Sequence, residues 1–476
     1  MSARPSRRLR NVLVVVLILA ALYTAYRYTL HRMVEARLDE IRKQGYPVTI
    51  AELDKWYPQP PPGENAADIY LAAFAKFNKW NTNTVDVLRP PRLPRARHRS
   101  DGQVSAPALV LTTVEKRDLL PLLPNGTKLP PRTEALSNSV QILIADYLAD
   151  NAESLKLFHR AASVKECRYP IDLARGFELS LPHLNEVRLG AQQLALEAIL
   201  KSEKGDSEAS GNAIIDDFAL AHSLEKEPLL ISQLVHVACQ GIALTGLERL
   251  LNRTTPSDVV LSQLATATSD AEASETMIRG IVGEMSCYVS LFGMSVGQLT
   301  AKGELPLPGG IKNHYLVATL VAVYEATGLM DMDELSCIHG MVGYIDACRK
   351  PLPSRLTASE ACSASVESLP KWRYLTRIFL PSLNKSQVRE ASSIARLRAA
   401  RIALAMERYR LANDALPDSL NNLVPKFLDA VPTDPFDGLP LRYKKLSKGY
   451  VVYSVGEDGK DDGGDEKKDI TFTVER

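Results

Sequence analysis

Residues 182–224 read PHLNEVRLGAQQLALEAILKSEKGDSEASGNAIIDDFALAHSL, and this stretch decides the fold. Apolar positions recur at helical spacing over 182–203 and again over 207–224. Lys204-Gly205-Asp206 between them is a turn signal rather than a continuation. The expected unit is therefore a helical hairpin, the element that stacks into solenoids. Aligned on Gly205, a tetratricopeptide pattern would need Ala, Ala and Pro where Ser210, Asp217 and His222 stand, so no named repeat follows.

The helical pattern continues on both sides. Helices are expected over 134–163 and 228–252, with breaks at Pro170 and Pro228. Asp270–Leu299 and Asn313–Met330 follow, separated by the Gly/Pro-rich GELPLPGG at 303–310. Asp333–Arg349 then carries Leu335, Ile338, Met341, Val342 and Ile345 on one side. Residues 133–385 thus read as an all-α body.

Composition sets the outer limits. The 57 basic and 56 acidic residues of the 476 leave a net charge of +1, which offers no global field for nucleic acid. A 45% hydrophobic, 24% charged chain has material for a sizeable core, and six cysteines cannot build a disulfide scaffold. In an oxidising compartment those six would admit fifteen complete pairings, although several lie in apolar helical contexts that suit buried thiols.

Toward the N-terminus, residues 1–10 hold Arg4, Arg7, Arg8 and Arg10 without an acid, and Val12–Tyr26 is free of charge. With Arg27 snorkelling, residues 11–30 make a single transmembrane signal anchor. Tyr23, Tyr26 and Tyr28 suit the far interface, and the small-residue spacing of a cleavage site is missing. Arg27, Arg32, Arg37, Arg42 and Lys43 follow the span and outnumber the four arginines before it. A long domain crosses largely regardless of charge, so the short N-terminal segment predicts an N-in orientation with the bulk of the chain extracytoplasmic. Residues 31–80 read as membrane-proximal helices: Thr49 and Glu52 form a capping box, PQPPPG at 58–63 is a break, and Asn65 caps a helix through Phe77. Residues 81–132 form a Pro/Arg-rich loop whose Arg89, Arg92, Arg95, Arg97 and Arg99 read as a solvated basic stretch.

Short catalytic patterns meet the wrong surroundings. Gly293-Met294-Ser295-Val296-Gly297 matches the hydrolase pentapeptide, which requires a strand before the serine, yet the pattern here is helical. Ser382-Leu383-Asn384-Lys385 lacks the companion elements of its family. His236 with Cys239, and Cys337 with His339, are pairs without the further ligands a zinc site needs.

Residues 386–476 carry the most specific pattern. A long helix over Ser386–Asn413 sets Ile394, Leu397, Ile402, Ala405, Met406 and Tyr409 against arginines at 389, 396, 398, 401, 408 and 410. Next come Leu416-Pro417, LVPKFL at 423–428, the turn PTDPFDG at 432–438, and two alternating strands over 439–444 and 449–455. From Glu457 to Asp469 seven acids face three lysines.

This order resembles the globular part of the major pseudopilin of type II secretion systems. The matching phrases are AMERYRLAN (405–413), LVPKFL, VPTDPFDG (431–438), Leu441–Tyr443 and YSVGEDG (453–459). They cover about 75 residues, and the leader and glutamate that open a pseudopilin anchor are absent here. The resemblance implies a small α+β module with a short antiparallel sheet, and calcium held by the acidic turn. Asp458, Asp461, Asp462 and Asp465 are the candidate oxygen donors. An EF-hand register fails, because Lys460 falls where an acid belongs. The preceding part, with GYPVTIAELDKWYP, NAADIYLAAF and EPLLISQLV, resembles single-pass bacterial envelope proteins without an assigned activity.

The expected fold is mainly α: a transmembrane helix, a multi-helix body and the pseudopilin-like module. The expected role is a scaffold of the bacterial inner membrane, facing the periplasm and contacting envelope proteins. A factor docking to type II secretion or pilus machinery through residues 386–476 is the second reading, and a periplasmic hydrolase using Ser295 or a His/Cys site the third. Co-purifying partners and fluorophosphonate labelling of Ser295 separate them.

Overall fold

A computed structural model describes residues 7–78, 129–272, 275–294 and 314–476. The chain is mainly helical, with one small antiparallel sheet. Helix α1 (Arg7–Lys43) runs unbroken from the basic N-terminal residues into the body. Its residues Val12–Leu22 are exposed, whereas Val34, Leu38 and Ile41 are buried. This helix is long and apolar enough to cross a membrane. Arg27 does not snorkel as expected: it forms an ion pair with Asp331 at 2.5 Å and donates to the Glu325 carbonyl at 2.7 Å.

Helices α2 (Ile50–Trp56) and α3 (Ala66–Ala75) start at the expected caps, with Thr49 Oγ1 accepting from Glu52 N and Asn65 Oδ1 from Ala67 N. The single helix expected over 134–163 is two, α4 (Asn138–Asp150) and α5 (Ala152–Ala162). They part at Asn151, whose side chain accepts from Asn78 N at 2.8 Å and donates to the Tyr147 carbonyl at 2.9 Å. The deciding hairpin is α6 (Pro182–Glu203) and α7 (Ser207–His222), the turn capped by Asp206. Helix α8 (Leu230–Arg253) packs against both. It is also apolar enough to span a membrane, but most of it is buried inside the protein.

Helix α9 (Asp258–Glu272) leads to α10 (Thr276–Phe292), where Gly283 lies so close to Pro228 that a Cβ would sit 1.7 Å from its carbonyl oxygen. Then follow α11 (His314–Ala326), α12 (Leu329–Cys348), α13 (Ser354–Glu367), α14 (Tyr374–Phe379) and α15 (Pro381–Asn413). The boundary expected at 386 thus falls inside α15. Strands β1 (Arg442–Lys445), β2 (Tyr450–Ser454) and β3 (Ile470–Val474) form one antiparallel sheet in that order, with Tyr443 opposite Val452 and Tyr453 opposite Thr471.

Residues 386–476 share a core with the body. Leu404, Met406, Tyr450, Val452 and Phe472 join Leu247, Leu250, Leu261 and Leu264 in one apolar cluster. The expected arginine face of α15 is largely a clamp: Arg398 and Arg401 hold Glu272 at 2.7 and 3.1 Å, and Arg408 holds Asp258 at 2.7 Å. The outer edge of β3 is closed by α8. Glu248 accepts from Thr473 N, while Asn252 donates to the Thr473 carbonyl and accepts from Glu475 N, each at 2.8 Å. Asn252, the start of an N-x-T triplet, is thereby committed internally.

Candidate functional site

The turn predicted to hold calcium is built around a different pair of residues. Asp434, in the PTDPFDG turn, is fully buried. Its carboxylate accepts from Ser454 Oγ at 2.8 Å, Phe436 N and Val455 N at 2.9 Å, and Arg442 Nη1 at 3.0 Å. Arg442 reaches Asp437 and, through Nε at 3.1 Å, Asp461. One guanidinium therefore ties the turn before the sheet to the acidic turn after β2, using the planar donor fork that a point charge lacks.

Of the four candidate donors, Asp461 also accepts from Gly463 N at 3.0 Å and Tyr453 Oη at 3.1 Å. The Gly463 N–H, then Tyr453 and Arg442, hold its carboxyl below the usual range. Asp462 pairs with Lys468 at 2.7 Å. Asp458 and Asp465 turn back on their own loop, accepting from Lys460 N at 3.1 Å and Lys467 N at 2.9 Å. The structure does not bring the four to a common point. Among the described residues no group of three or more His, Cys, Asp or Glu is placed to hold a metal. This donor set does not fit a calcium cradle, which needs six to eight oxygens on one centre, and the calcium reading rests on the resemblance alone.

A cleft of about 760 Å³ lies where α1 enters the body. Met33, Arg37 and Glu40 of α1 face Ser336 and His339 of α12 across it, and Cys362 and Val366 of α13 close the third side. Arg37 and Glu40 pair with each other at its rim. Burial raises the Cys362 thiol, which keeps it protonated and weakly nucleophilic. His339 lines the same cleft as Cys362 and the Arg37–Glu40 pair, while its sequence neighbour Cys337 is buried in the core.

The remaining candidates resolve into structure. His236 is buried, with Nδ1 2.7 Å from the Ala221 carbonyl and Nε2 2.9 Å from Gln240; burial lowers its pKa to about 4, so it is a neutral core histidine. Ser295 lies outside the described residues, but the segment leading to it is the helix α10, where a nucleophile elbow needs a strand. The 382–385 pattern falls in the first turns of α15. All six cysteines are free thiols. The Arg89–Arg99 stretch lies outside the described residues.

A buried His–Glu–Ser cluster was not legible in the sequence. His183 Nε2 lies 3.0 Å from Glu227, and Ser232 Oγ donates to the same carboxylate. Here the glutamate stands between histidine and serine, so the imidazole does not reach the hydroxyl as it does in a nucleophile–histidine–acid triad. With His183 stacked on Tyr169 at 4.5 Å, the cluster is a joint between α6 and α8. No family model, curated protein or solved structure matches the chain.

Proposed function

We propose that this protein is a single-pass, extracytoplasmic helical scaffold of the bacterial inner membrane, N-terminus inside, that presents its body to protein partners in the envelope. The observation that carries this reading is the continuity of α1. One helix is exposed over Val12–Leu22 and then buries Val34, Leu38 and Ile41 in the body's core, so the body stands at a fixed height and rotation on its anchor. The cleft beside Met33 and Glu40 is the partner-facing groove nearest the membrane. The test is protease added to intact spheroplasts of cells making the full chain with an N-terminal epitope. Loss of the body with retention of a short membrane-bound epitope fragment is expected. Full protection until lysis, or release of the chain by alkaline carbonate, would overturn the reading.

Docking to secretion or pilus machinery through residues 386–476 is the second reading. It draws on the order helix, turn and antiparallel sheet that the resemblance implies. Its distinguishing result is site-specific crosslinking of exposed Leu439 or Lys448, rather than the α1 cleft, to a pseudopilin-bearing complex.

A further inference from the structure

We infer that α11 is a second membrane-contacting element, seated in the lipid interface beside the anchor. The inference rests on α1 spanning the bilayer and adds what the body does at that surface.

The anchor serves as a ruler. A hydrocarbon core of roughly 30 Å takes about 20 helical residues at 1.5 Å each, which from Asn11 reaches Leu30. Body residues that touch α1 before Leu30 therefore sit at lipid depth. Tyr23 Oη donates to the Ala326 carbonyl, Arg27 to that of Glu325, and Tyr26 lies against Met332 Sδ at 3.5 Å. These contacts fix the last turn of α11 against the anchor within that length.

The composition of α11 suits such a place. From Tyr315 to Tyr324 there is no Asp, Glu, Lys or Arg. Leu316, Leu320 and Val323, spaced four and three apart, are 46%, 42% and 53% exposed. Val321 is buried, against the α10–α12 core. In water this stripe would be a costly surface; in the headgroup and acyl boundary it is the face an interfacial helix buries.

Flanking groups complete the pattern. Tyr324 Oη donates to the Trp372 carbonyl at 2.5 Å, Arg373 lies 4.1 Å over the Trp372 ring, and Trp372 is exposed. With Tyr23, Tyr26 and Tyr28, also exposed, they make an aromatic and basic collar of the kind found at bilayer boundaries. Arg27 is neutralised there by Asp331.

The test uses the full chain in phosphatidylcholine/phosphatidylglycerol nanodiscs, with Val323→Cys, Leu320→Cys, Val15→Cys and Leu411→Cys each labelled with an environment-sensitive fluorophore. The parent chain, whose cysteines are all buried or half-buried, sets the background. Labels at 320 and 323 are expected to emit to the blue of the label at exposed Leu411 and to be quenched most by a nitroxide near the lipid headgroup. The label at 15 should be quenched most by one near the chain end. Water-like emission and no lipid quenching at 320 and 323, with 15 still quenched, would overturn this inference and leave the anchor standing. Blue emission there that responds to protein dilution and not to lipid nitroxides would replace the bilayer with a second copy of the chain. Failure at 15 would remove the anchor itself.

Discussion

Replacing Arg442 with alanine tests whether one guanidinium organises the C-terminal turns. The substitution leaves Asp434, 0% exposed, with three of its four donors and without its counter-charge. Breaking a buried ion pair from one side costs about 3–5 kcal/mol. The remaining donors and the 18% exposure of Arg442 reduce that to roughly 2–3 kcal/mol. Because the damage is local, the assay is hydrogen exchange followed by mass spectrometry on peptides from 432–476. At about 1.4 kcal/mol per decade, amides of Val455 and Phe436 should exchange roughly 30- to 140-fold faster. Arg442→Lys should recover less than half, since an ammonium cannot fork to three carboxylates. The control is Lys445→Ala, which removes an exposed pair with Asp418 and is expected to leave exchange of these amides unchanged. Exchange in Arg442→Ala equal to that control would refute the organising role.

Calcium at millimolar concentration should leave the melting temperature of the parent chain unchanged, because Arg442 and Lys468 already occupy the acids; a calcium-selective rise abolished by Asp458→Ala would restore the calcium site. His159 is raised to about 10 by Asp216 and Glu197, at 2.6 and 3.1 Å. Its folded value exceeds its unfolded one, so its contribution is complete below about pH 6.5 and lost as pH rises through 10. His159→Gln should flatten the fall in melting temperature over that window, and an unchanged slope would deny the pairing. Gly283→Ala should destabilise by about 3 kcal/mol in denaturant titration, since the added Cβ would overlap the Pro228 carbonyl; a change below about 0.5 kcal/mol would mean α10 and the turn before α8 are not so closely apposed.

How far these features could be read from residues alone varies with their range. The hairpin at 182–222 was legible because periodicity and the Lys204–Asp206 turn are local signals, and Thr49 and Asn65 announced their helices for the same reason. The break at Asn151 was not, because its cause is a bond to Asn78 from another part of the chain. Helix α9 has no counterpart in the expected set; Val260, Leu261 and Leu264 fill a core whose other half is supplied by α15. Strand β3 was hidden by the charged run before it, and only pairing with β2 gives ITFTV a partner. Among candidate site residues, the acids of 458–465 were visible as a charge cluster. Asp434 and Arg442, which organise them, look like ordinary turn and strand residues until the fold makes them meet.

The closure of β3 by Glu248 and Asn252 has a consequence for biogenesis. The core that begins with α8 lacks Phe472 and Val474 until more than two hundred further residues have been made. During synthesis the faces of α8 and α15 that pack on β3 stay unmatched, and a chain in that condition is bound by holdases more readily than a finished fold. Residues 470–476 then act as the latch that closes this core.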